Sequence, residues 1–134
     1  MTSMEPITAA DAVANGAQLL DERYPGWWRQ IDLPILRLND CRQCVCGQLA
    51  ADMFDDESPI DAYQLMLDTM GLTWLGNDYV YGFNLTEDDR LRCDEDEIDT
   101  MFRELDHEWH QVIVARLRAD ELNKPTVTKE LVNA

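Results

Sequence analysis

The residues of this chain best able to bind a metal or exchange electrons are its cysteines, Cys41, Cys44, Cys46 and Cys93. Three of them fall in one stretch, DCRQCVCGQLA, from Asp40 to Ala50. A tetrahedral zinc site needs three or four ligands converging on one ion, with Zn–S of about 2.3 Å. On a regular helix each residue turns by about 100°, which sets Cys41 and Cys44 on one side and Cys46 nearly opposite Cys44. All three meet one ion only if the stretch is a turn. With Cys93, His107 and His110 as the remaining donors, the best metal set is Cys41, Cys44, Cys93 and His110, but no second C-x-x-C accompanies it. Counted from Ile98, His107 points about 180° and His110 about 120° from the apolar stripe of their helix. HEWH also lacks the i, i+4 histidine spacing of zinc proteases. No metal or other cofactor is expected.

Redox chemistry is the second possibility. Cys41-Arg42-Gln43-Cys44 is a C-x-x-C at a predicted helix N-terminus, where the helix dipole and Arg42 would lower a thiol pKa. The apolar PILRL before it imitates the preceding strand of a dithiol oxidoreductase. That fold requires further strands in βαβ order, and the rest of this chain reads helical. Packing accounts for the stretch better. Cys41, Cys44, Val45 and Leu49 fall at i, i+3, i+4 and i+8, with Met53 one turn further, and free cysteine behaves as a small hydrophobe. Cys46 and Ala50 turn toward a second neighbour, and Gly47 allows close backbone approach.

The elements that must position these side chains are helices. Thr8 and Asp11 make a capping-box-like start. Ala10, Val13, Ala17, Leu20 and Tyr24 then recur at helical spacing, predicting a helix over 8–24 that Pro25-Gly26 stops. Trp27 and Trp28 follow in a turn or short helix. Ile31 to Leu38 is broken by Pro34 and reads as an irregular connector. Asp40 is a good N-cap for a helix to about Phe54. After the acidic loop Asp55-Asp56-Glu57, Ser58-Pro59 opens a third helix with a stripe of Ile60, Tyr63, Leu67 and Met70, which Gly71 ends. LTWLGNDYVYGFNL, Leu72 to Leu85, reads as a structured aromatic loop with a possible short strand at Tyr79 to Tyr81. Ile98, Met101, Phe102, Leu105, Trp109, Val112, Ile113 and Leu117 then trace a long amphipathic helix, with DEDE (Asp94 to Glu97) at its positive end.

The prediction is a mostly α fold: a compact bundle of about four helices with an irregular aromatic segment. One domain over 1–122 fits the 134-residue length, with 123–134 a polar, frayed tail. Hydrophobic residues make up 46% of the chain, enough for a core. The start of the chain carries no secretory leader, and no apolar run reaches the roughly 18 residues of a membrane span, so a cytoplasmic protein is expected. A net charge of -16 argues against direct contact with nucleic acid or anionic membrane and favours a basic partner surface. It also admits imitation of DNA, by which the chain would occupy a nucleic-acid-binding cleft. No glycine-rich phosphate loop, calcium loop or nucleophile with a placed base is present, so no enzyme is expected. Trp27, Trp28, Trp74, Tyr79 and Tyr81 are candidate partner-binding residues, since exposed aromatics anchor interfaces.

GAQLLDERYPGWWRQIDL (Gly16 to Leu33), LNDCRQCVCGQL (Leu38 to Leu49) and YGFNL (Tyr81 to Leu85) together resemble a group of small acidic proteins of unassigned function encoded by bacteriophages of actinobacteria. In that group a "GA-LLDE-YPGW" helix precedes a "DLS-C--CVLGQL" segment, a "GF" pair and an acidic C-terminal helix. The resemblance carries over no catalytic residue. Cys46 stands where the group commonly has leucine, which favours packing over a three-thiolate site. It implies a small phage product that binds and masks a host protein in the host cytoplasm, for host takeover or counter-defence. A DNA mimic, and a zinc- or thiol-dependent protein using Cys41, Cys44 and Cys46, are the alternatives.

Overall fold

Thr8 caps the first helix, its hydroxyl accepting from Asp11 N at 3.1 Å. In the computed structural model, which describes residues 7–53 and 58–122, this helix is α1, Ala9–Arg23. Phe54, the acidic loop 55–57 and the 123–134 tail lie outside the described residues. α1 buries Ala12, Val13, Gly16, Ala17 and Leu20 between the long last helix and the segment Asp78–Tyr81. Ala10, expected in that stripe, is exposed, because it lies about 90° from the centre of the buried face.

Gly26 adopts φ 84°, which a side chain disfavours, and turns the chain into a 3-10 helix, Trp27–Gln30. Trp27 is wholly buried. It meets Trp28 and Trp109 edge-on, with ring centroids 6.0 and 5.7 Å away, and Phe83 stacks on Trp109. A second short 3-10 helix, Leu33–Ile35, interrupts the connector around Pro34.

The next helix starts later than expected. Asp40 does cap, but what it caps is a separate turn: Arg42 N donates to its carboxylate, and Gln43 N and Cys44 N to its carbonyl. The Gln43 carbonyl accepts from Arg37 N and the Gln48 side chain, drawing the turn back to the connector. Helix α2 therefore runs only Val45–Met53. Cys44 takes the N-cap position, its sulfur accepting from Gly47 N at 3.2 Å and its carbonyl from Gln48 N. Gly47 does permit close approach, since a Cβ there would overlap the Cys41 carbonyl. Residues 44–50 are all buried, so both faces of α2 lie in the core and Cys46 is as buried as Cys44. Met53, expected in the stripe, is 39% exposed, in the final turn of the helix.

Ser58 caps α3, Pro59–Thr69, which packs on α2 through Ala62, Tyr63, Met66 and Leu67. Ile60 is exposed rather than in the stripe, again about 90° from the centre of the buried face. Gly71 ends the helix at φ 76°, as expected. No strand forms at Tyr79 to Tyr81, nor anywhere among the described residues. Asp78–Tyr81 is instead a third 3-10 helix, because the chain wraps around Asp78, whose carboxylate accepts from Leu75 N and whose carbonyl accepts from Phe83 N.

A short helix α4, Glu87–Arg92, was not foreseen, although Thr86 followed three residues later by Asp89 is a cap signal and the bond from Asp89 N forms at 2.9 Å. Helix α5, Glu95–Leu122, begins at a reciprocal pair: Glu97 N donates to the Asp94 carboxylate and Asp94 N to the Glu97 carboxylate. The expected stripe forms its buried face, centred on Phe102, Leu105, Trp109 and Ile113. The fold is thus mostly α, with five α-helices among the described residues rather than about four. Among those residues no helix is long and apolar enough to cross a membrane.

Two clasps tie the first quarter of the chain to the end of α5. Arg116 holds Asp21 through two hydrogen bonds, 3.1 and 2.6 Å, and Trp27 donates its indole N–H to the same carboxylate at 2.9 Å. Asp120 receives Arg29 and the Trp28 indole. Burial pushes the Asp21 pKa up, but the Arg116 and Trp27 hydrogen bonds outweigh it and the net shift is downward. A carboxylate lowered on folding stabilises fully above its unfolded pKa and stops doing so as pH falls through its folded one. Asp21→Asn is therefore expected to cost about 1 kcal/mol at pH 7. In urea titrations at a series of pH values, that difference should shrink steadily below about pH 4.

Candidate functional site

Of the five aromatic candidates, the structure leaves one as an open contact. Trp27 has no exposed surface and is a core residue, contrary to expectation. Trp28 is half-buried and engaged, its indole N–H on Asp120 at 2.6 Å and its ring beneath the Arg29 and Arg116 guanidiniums. Tyr79 and Tyr81 are half-buried in the walls of two different surface depressions, so they do not join Trp74 in one patch. Trp74 is 48% exposed at the edge of a crevice of about 70 Å³.

That crevice gathers residues from five parts of the chain. Cys41 and Cys44 come from the turn before α2, Tyr63 from α3, Trp74 from the loop, Arg90 from α4 and Phe102 from α5. Its floor is a polar chain running inward from the surface. Arg90 donates to the Asn84 side-chain oxygen at 2.9 Å, and Asn84 donates to Asp78 at 3.1 Å. Tyr63 donates to the same Asp78 oxygen at 2.9 Å. Asp78 is wholly buried; burial raises its pKa, and the hydrogen bonds from Asn84, Tyr63 and Leu75 oppose the rise. Burial also pushes the Tyr63 hydroxyl far above its ordinary pKa, so it stays a donor. Sequence reasoning passed over Asp78 and Asn84. The available signal was a carboxylate and a carboxamide inside an aromatic stretch, where a buried polar group requires partners.

The thiols are not activated as a C-x-x-C at a helix N-terminus would be. The N-terminus of α2 lies beyond Cys41, and burial dominates both side chains. It raises Cys41, helped by the Asp40 charge and opposed by Arg90, and pushes Cys44 up to about 12. Cys46 is raised well above its ordinary value by burial and its neighbours' charges. The metal set is not brought together. Cys41 and Cys44 share the crevice wall, Cys93 closes α4, and His110 is exposed on α5. Among the described residues, no three His, Cys, Asp or Glu side chains are grouped to hold an ion.

Beside the crevice the surface is acidic. From Glu87 to Glu108 the chain carries 11 acidic and 3 basic residues, a net of -8, which is half the whole chain's charge in 22 residues. Two of the three arginines, Arg92 and Arg103, pair with carboxylates one turn earlier, and the third is Arg90 in the crevice. The arrangement is that of an all-α domain with an acidic face on α4 and the first half of α5, bordered by an exposed tryptophan. Comparison with protein-family models, with curated proteins and with solved structures finds no match.

Proposed function

We propose that this is a non-enzymatic phage protein that works in the host cytoplasm by binding a basic surface of a host protein and masking it. The observation that carries the reading is the juxtaposition of half the net charge, on α4 and the start of α5, with exposed Trp74 at the crevice edge. Such a surface has the two parts an interface uses. Long-range charge speeds encounter with a basic partner, and a tryptophan beside a pocket supplies affinity once water is excluded. The phage and host setting comes from the sequence resemblance, and binding is preferred to catalysis because burial keeps the thiols protonated. The same concentration of carboxylates favours a second reading, imitation of DNA.

One capture experiment separates these. The tagged protein is used to pull partners from an actinobacterial host lysate, with and without competing duplex DNA, beside a Trp74→Ala variant. The masking reading expects a retained protein that DNA does not displace and that binds the variant about 30-fold more weakly, the loss typical of a tryptophan hot spot. A partner displaced by DNA and indifferent to Trp74 would favour mimicry. Recovery of no partner, together with turnover of a substrate by the purified protein, would end both.

A further inference from the structure

We propose that Cys41 and Cys44 form a reversible disulfide, with Cys41 the thiol that meets the oxidant and Cys44 the thiol that resolves it. This inference stands independently of the binding reading. Both side chains line the Trp74 crevice, and both belong to the single turn closed when Gln43 N and Cys44 N donate to the Asp40 carbonyl at 3.1 and 2.9 Å. Side chains three residues apart in a helical turn have Cβ atoms about 5–6 Å apart, and a disulfide needs about 3.5–4.5 Å. The remaining approach of about 1–2 Å falls to residues 40–43, which lie outside α2 and can tighten without breaking it. The Cys44 sulfur already points back toward this turn, 3.8 Å from the Cys41 carbonyl oxygen.

Access sorts the roles. Cys41 is half-buried at the crevice, whereas Cys44 is 2% exposed behind it, so a small oxidant reaches Cys41 first. Cys46 has no exposed surface and lies about 200° around α2 from Cys44. Cys93 closes α4 and does not line the crevice.

A low-molecular-weight disulfide, such as glutathione disulfide, is the oxidant. Cys41 gives up its proton to water and the thiolate attacks one of the oxidant's sulfurs; that S–S bond breaks, and one thiolate leaves and takes up a proton as the mixed disulfide forms. Cys44 then gives up its proton to water and attacks the Cys41 sulfur. The Cys41–Cys44 bond forms, the mixed disulfide breaks, and the second thiolate leaves and takes up a proton. Two electrons have passed from the protein dithiol to the oxidant, which departs as two thiols. Burial holds both protein thiols protonated, so the exchange is slow at neutral pH and quickens as pH rises.

The sequence supplies a direct assay. Trypsin cuts after Arg37 and Arg42, releasing Leu38–Arg42 with Cys41 and separating it from the peptide that bears Cys44 and Cys46. The full native chain is exposed to glutathione disulfide, its free thiols are blocked, and it is digested and weighed by mass spectrometry. The expected result is near-complete loss of free Leu38–Arg42 into a linked pair that dithiothreitol separates. Cys46→Ser should keep the link. Cys44→Ser should abolish it and leave glutathione on Cys41. No linked pair from the native chain, a link that forms only in urea, or one that survives Cys44→Ser would each overturn the proposal.

Discussion

Gly16→Ala should destabilise the fold by about 3 kcal/mol, although alanine in place of glycine within an exposed helix normally gains about 1 kcal/mol. The sign is decided by what a Cβ would meet. At Gly16 it would overlap the Tyr81 carbonyl oxygen and lie 2.9 Å from two carbons of the Trp109 ring. Neither neighbour can yield. The carbonyl is backbone, and Trp109 is wholly buried, with its indole N–H on the Gly82 carbonyl at 2.7 Å and its ring against Trp27 and Phe83. Relief requires α1 to move off both Asp78–Tyr81 and α5, the two elements it packs against most. Urea unfolding should show a lowered midpoint at nearly constant slope. A variant as stable as the parent would mean that α1 does not lie this close to Tyr81.

Asp78→Asn should cost about 2–4 kcal/mol at pH 7, despite removing a buried negative charge. The carboxylate accepts three hydrogen bonds, from Tyr63, Asn84 and Leu75, and the first two of these donors are buried. An asparagine keeps the Leu75 bond only by turning its own NH₂ toward Tyr63 and Asn84; the Tyr63 hydroxyl can turn to the Phe83 carbonyl, 3.2 Å away, but the Asn84 amide is left donor against donor. Stranding buried donors costs about 1–3 kcal/mol each, more than the relief of a charge already well solvated by hydrogen bonds. The pH dependence has the opposite sign to that of Asp21. Burial raises the Asp78 pKa, so the folded chain binds its proton more tightly than the unfolded chain does. Wild-type stability from this group is greatest below the unfolded value of about 4 and falls as pH rises to the folded value. The amide has no such step, so the gap between the two proteins should narrow from acid toward neutral pH in urea titrations. Equal stability at every pH would show that the network does not rest on Asp78.

What the sequence revealed, and what it withheld, follows from the range of the interactions involved. Thr8, Ser58, Gly71 and the stripe from Ile98 to Leu117 work within one or two helical turns, and each predicted feature forms. The start of α2 was misplaced because Arg37 and Gln48 claim the Gln43 carbonyl, contacts that no capping rule contains. Helix α4 has one large apolar residue, Leu91, which is 77% exposed, so no periodicity announces it. The same limit governs the site. Trp27 and Trp74 look alike in a sequence, yet one is sealed beneath Trp28, Trp109 and Arg116 and the other stands open. Core packing holds for Cys44 and Cys46 but not fully for Cys41, which is half-buried, and only the turn geometry places Cys41 and Cys44 on the crevice wall.

The clasps at Asp21 and Asp120 also bear on how the chain is made. Trp27 and Trp28 leave the ribosome before the groups that cover them: Trp109 and Arg116 over Trp27, and Asp120 on the Trp28 indole, come about 80–90 residues later. Until then the aromatic cluster has no roof and α1 has no long helix to lie against. A growing chain can wind its local helices, but it cannot close its centre. Closure of this domain therefore waits for α5, and everything between Trp27 and Asp120 must be made before the aromatic cluster is sealed.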